Sequence, residues 1–109
     1  MDPTIKPEER IYVVLLILDV KQSWFDLERK TRAELTNPHV TNLGKHLKEV
    51  TLTSLQGTGL SKYDMVEILE SKNLQAIEAM IEEFKTGDKA QHGTIRDIII
   101  MEKGIERMR

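Results

Sequence analysis

Three histidines, His39, His46 and His92, and the absence of cysteine set the chemistry open to this chain. Without thiols there is no disulfide, thiolate metal site or cysteine nucleophile, so imidazoles and carboxylates must supply any metal ligand. His39 has the most distinctive setting. It follows Asn37-Pro38, a pair that suits a helix start with Asn37 as cap and proline at the first helical position. A ring at the next position lies beside unpaired backbone N–H groups and the positive end of the helix dipole, which favours the neutral, ligand form of imidazole. On these residues alone, His39 is either a metal ligand facing an apolar groove or a surface residue whose ring bonds locally. His46 lies further along the same helical face and is expected in solvent. His92, in a glycine-containing polar loop, is expected to carry no chemistry.

Other constellations carry less. Gly57-Thr58-Gly59 lacks the third glycine and the parallel-strand context of a dinucleotide fingerprint and reads as a turn. No catalytic triad stands out, and Glu78, Glu82 and Glu83 read as a solvated helix face.

The elements that must position these residues follow from periodicity. Ile11 to Val20 is apolar at both parities, as a central strand covered on both faces requires. Ser23 with Asp26 resembles a capping box, opening a helix that carries Trp24, Leu27 and Leu35, with Trp24 expected in the core. Asn37-Pro38 predicts a break, followed by a second helix from Pro38 to Glu49 that buries Val40, Leu43, Leu47 and Val50. Val50 to Leu55 and Tyr63 to Leu69 read as antiparallel strands joined by the glycine turn. Asn73 caps a helix with Leu74, Ile77, Met80, Ile81 and Phe84 as its apolar stripe and Gly87 past its end. Ile95 to Met101 is the last strand. The order is that of an α+β, ferredoxin-like βαββαβ fold with a four-stranded antiparallel sheet and a split first helix. Residues 1–109 form one domain, with residues 1–9 and 105–109 as flexible tails. Helices cover one sheet face, so the other must meet a second subunit, a ligand or both.

Charged residues are 31% of the chain and the net charge is -2, with both signs interspersed, which gives no basic field for nucleic acid. The apolar run at Ile11 to Val20 contains Asp19, lacks a cleavage site and is too short to span a bilayer. No membrane partner is expected, and the cytoplasm is the default location.

From Trp24 onward the spacing resembles the haem-carrying C-terminal half of the chlorite dismutase and coproheme decarboxylase family, within the dimeric α/β-barrel superfamily. The matching residues are Trp24, Arg32, His39, the strand around Leu52, the turn Gly57-Thr58-Gly59-Leu60, Asp64 and Leu69-Glu70, and the likeness covers roughly residues 24 to 104. The resemblance implies a haem or related porphyrin as cofactor, His39 as the axial metal ligand, and Leu52 at the distal, cofactor-facing position. Leu52 stands where the family has an arginine or glutamine, so chlorite cleavage is not expected. Lys89, with Asp88 beside it, stands where the family tunes the histidine with a glutamate.

The resemblance further implies a homodimer or higher oligomer that restores the family's paired domains. If the chain is an enzyme, a haem-dependent oxidoreductase is the expected class. The competing expectations are a haem-free barrel that binds an apolar small molecule, as cofactor-free monooxygenases do, and a purely structural or regulatory dimer.

Overall fold

The computed structural model describes residues 10–103; the tails expected to be flexible lie outside the described residues. The chain runs β1 (Tyr12–Val20), α1 (Gln22–Phe25), α2 (Arg29–Gly44), β2 (Thr51–Gln56), β3 (Met65–Ser71), α3 (Leu74–Lys85), a 3-10 turn (Lys89–His92) and β4 (Gly93–Glu102). The sheet is antiparallel with order β2-β3-β1-β4, the ferredoxin-like arrangement the periodicity predicts. The apolar run at both parities becomes β1, paired on both edges.

Alternation sorts the sheet into two faces. Val14 pairs with Leu69, Leu16 with Glu67 and Leu18 with Met65, and β2 places Leu52, Ser54 and Gln56 opposite those same β3 residues. This side meets the helices. Val14, Leu16, Leu69, Ile77 and Met80 are completely buried in its core, with Leu43, Val50, Ala76 and Ile81 beside them. Each such side chain contributes roughly 1.5–3 kcal/mol of apolar burial. The opposite side carries Val13, Leu15, Ile17, Val66 and Ile68, and no helix of the described residues covers it.

Helix α3 forms as its sequence predicts. The Asn73 side chain accepts from the N–H groups of Gln75 and Ala76, and Gly87 follows the helix at φ 85°. The β2–β3 connection also holds. Gly57 donates its N–H to the Asp64 carbonyl at 2.7 Å, and a Cβ there would overlap the Tyr63 carbonyl oxygen. Asp64 in turn accepts from the Val20 N–H at 2.7 Å, fastening the turn to the end of β1.

The first helical region departs from expectation. It is split at Asp26–Glu28, between α1 and α2, and α2 passes through Asn37-Pro38 without a break. Proline at 38 removes one backbone donor, and Asn37 caps nothing. The Thr36 hydroxyl donates to the Arg32 carbonyl at 2.8 Å in the turn before it. The capping box also fails, because the residue before α1 is Lys21 without a side-chain cap, and the Ser23 hydroxyl pairs with His92 instead. The expected buried stripe is half right: Leu43 and Val50 are buried, but Val40 is 57% and Leu47 54% exposed. Helix α2 ends at Gly44, and short-range turns carry the chain to Val50.

Gly57→Ala is expected to destabilise the protein by about 2 kcal/mol or more, since backbone must move to admit the methyl group. Gly59→Ala, with open space around its Cβ, should be near neutral. Paired denaturant melts check both.

Candidate functional site

A cavity of about 330 Å³ opens between α2, the sheet and the segment after α3. Its apolar lining comes from Leu18, Trp24, Val40, Leu43, Met65, Phe84 and Ile95. His39 lies on the helical wall, Ser54 and Glu67 on the sheet wall, and Lys89 and His92 on the 3-10 turn. The cavity exists because α3 packs tightly on Val14, Leu16 and Leu69, while α2 presents mostly polar residues and buries only Leu43.

His39 therefore sits in mid-helix, away from the helix N-terminus, and the dipole argument for its neutrality does not apply. Other groups act on its pKa. Burial lowers its pKa, and the nearby Lys89 charge lowers it further; the Glu83 backbone carbonyl, acting as a hydrogen-bond acceptor for the ring, and the Glu83 charge oppose them. Phe84 meets the imidazole edge-on, with centroids 5.2 Å apart. A ring whose one N–H is turned to a carbonyl leaves its other nitrogen free as a ligand. Lys89 and Asp88 line a smaller hollow on the other side of His39, together with Glu34 and Glu83.

Leu52 is half-buried and packs against the core cluster rather than lining the cavity. Two residues along the same strand face, Ser54 takes the place on the wall, with Gln56 beyond it. Trp24, expected in the core, lines the cavity; the Lys89 ammonium lies 5.2 Å from its ring centroid. His92, expected to be idle, lines it too, and its Nδ1 is 2.9 Å from the Ser23 hydroxyl. Glu83 and His46, both expected in solvent, form a half-buried pair at 3.2 Å.

Glu67 is the residue sequence reading missed. It is only 2% exposed and accepts a hydrogen bond from the Ser54 hydroxyl. Burial raises its pKa, while Ser54 and the Lys89 charge hold it down. Burial conversely lowers the pKa of Lys89, against the attraction of Glu67. The signal lay in β3, where one glutamate stands among apolar residues on the face shared with Met65 and Leu69.

No curated protein matches the chain. Solved structures do. A chlorite dismutase from Candidatus Nitrospira defluvii in complex with imidazole superposes with TM-score 0.80 at 14% identity, covering 87% of this chain and 40% of that one. A mutant of that enzyme in complex with cyanide gives 0.76 at 15%, covering 84% and 39%. A protein provisionally described as a chlorite dismutase, TA0507, gives 0.72 at 16%, covering 82% and 43%. The chain thus spans about two fifths of the length of these structures, and the likeness establishes the fold. The family model for chlorite dismutase matches residues 2–101, nearly the whole sequence, and the chain belongs to the chlorite dismutase family.

Proposed function

We propose that the cavity binds haem or a related porphyrin through His39. The observation that carries this reading is the place of His39 on the wall of an apolar cavity, where burial lowers its pKa and so favours the ligand form of the ring. The donor set suits the group: one histidine as axial ligand, and leucine, methionine and phenylalanine walls for the macrocycle. Bound haem would supply electron-transfer and oxygen chemistry. The chain's own contribution is to hold the ligand neutral, to exclude water with Phe84 and Leu43, and to place Glu67 and Ser54 on the facing wall. Chlorite cleavage is not part of the proposal, because the position that the resemblance gives to the family's arginine or glutamine is Leu52, which packs against the core. Haem-dependent oxidoreductase chemistry is the activity it favours.

A second reading, a haem-free binder of an apolar small molecule, draws on cavity size. About 330 Å³ lies near the lower end of ordinary ligand pockets. In either case the helix-free sheet face, with Leu15 paired to Ile68 and Ile99, supports self-association as the dimeric α/β barrel does. A purely structural dimer would use the same face and leave the cavity without a ligand.

Titration of apo protein with haemin is expected to give a shifted Soret band and a higher Tm, and His39→Ala should bind at least about tenfold more weakly. No shift, or equal shifts in both proteins, would reject the haem reading. Leu15→Glu is expected to turn an oligomer into a monomer in sedimentation without unfolding it, because the residue is half-buried on the uncovered face.

The lowered His39 pKa fixes a pH dependence. The unfolded state takes up a proton first, so this contribution to stability is present above the unfolded value of about 6.5 and lost as pH falls through it. His39→Gln should flatten the stability profile of the apo protein on the acid side of neutrality, measured by urea melts across that range.

A further inference from the structure

Glu67 is a buried carboxyl that neither packing nor a salt bridge accounts for. It lies on the sheet wall of the cavity, facing the helical wall that carries His39. Its Oε2 accepts from Ser54. Its Oε1 has no hydrogen-bond partner among the described residues, yet it is not among the sealed, unsatisfied atoms, of which Arg10 Nε is the only one described. Glu67 lines the cavity, and Oε1 is the carboxyl oxygen left for a ligand there. An apolar residue at this position would complete the core beside Leu16 and Leu69, and buried carboxyls without a charge partner are costly.

We propose that Glu67 is the proton carrier of the cavity, accepting the proton of a small weak acid that binds between His39 and the sheet. The acid is small enough to sit between His39 and the sheet wall and has one proton to give. Its H–X bond breaks, a new O–H bond forms at Glu67 Oε1, and the anion X⁻ remains in the cavity, hydrogen-bonded by the carboxyl it has just protonated. Nothing is oxidised or reduced in this step. Ser54 holds the carboxyl in place, and the strand face shared by Ser54 and Leu52 moves the polar function from the expected position to its neighbours. The proposal rests on the porphyrin reading, since bound haem would supply the positive centre that favours an anion in the cavity.

The other ionisable groups around the cavity are His39 on α2, Asp19 at the end of β1, and Lys89 and His92 on the 3-10 turn. Lys89 is the one whose charge reaches Glu67, favouring its ionised form. A ligand that is already an anion in solution, as fluoride is, binds together with the one proton held on Glu67, so it must bind more weakly as pH rises, by about tenfold per pH unit above the carboxyl's own pKa.

The test uses protein loaded with ferric haem and fluoride as the probe. Haem uptake is read first from the Soret band in wild type and Glu67→Gln, and fluoride is then titrated into the haem-loaded fraction of each. The wild type should then lose fluoride affinity about tenfold per pH unit, and Glu67→Gln should lose that slope. Ser54→Ala, which removes a hydrogen bond to the ionised form, should keep the slope and move its onset to higher pH. A Glu67→Gln protein with the wild-type slope would overturn the proposal. Failure of both proteins to take up haem would reject the parent reading. The infrared band of a protonated carboxyl in apo protein then decides Glu67 separately: present in wild type and absent in Glu67→Gln sustains a proton-carrying carboxyl, and no such band at any pH ends it.

Discussion

Dense packing of α3 on the middle of the sheet is the constraint from which the rest of the structure follows. Ile77 and Met80 close over Val14, Leu16 and Leu69 with no exposure at any of the five, and dispersion and burial there supply most of the apolar stabilisation a domain of this size can collect. That packing uses one half of the helical layer. The other half, α2, is polar along most of its length and anchors mainly through Leu43. The gap between a tightly seated helix and a loosely seated one is the cavity.

The same asymmetry accounts for the electrostatics. Three ionisable groups of the cavity have displaced pKa values, and burial is the largest cause for each: His39 and Lys89 pushed down, Glu67 pushed up. All three shifts run toward the neutral forms, and the wall presents polar atoms among apolar ones. Such a lining accepts an apolar ring and still offers hydrogen bonds. Structural ion pairs elsewhere behave differently: Arg96 and Asp19 meet at 2.8 Å where both are partly exposed, and such pairs contribute little to stability.

Much of this was readable in the sequence where local chemistry and tertiary packing agree. Asn73 and Gly87 bracket α3, the glycine turn fixes the β2–β3 hairpin, and a strand apolar at both parities has to lie in the middle of a sheet. His39 lines the cavity from the middle of α2 and not from the helix start that Asn37-Pro38 predicts. What was not readable involves choices made by distant residues. Pro38 reads as a break because its local cost is evident, yet α2 runs through it. Val40 and Leu47 repeat at helical spacing, but their face meets the cavity mouth and solvent rather than core. Glu67 was hidden because Met65 and Leu69 flank it on the buried face, and the apolar pattern of the strand draws attention away from it.

Strand β4 leads to a consequence of another kind. It is an edge strand, paired only with β1, and it skips Arg96 where the register shifts between Ile17 and Leu18. Beyond that bulge run Ile98, Ile99 and Ile100, with Ile100 58% exposed. An apolar, β-branched edge is a template for uncontrolled strand addition. Here it is bracketed by Arg96 and Asp97 on one side and Glu102 and Lys103 on the other, charges that interrupt a growing stack. The bulge and the flanking charges act as gatekeepers against open-ended strand addition at this edge.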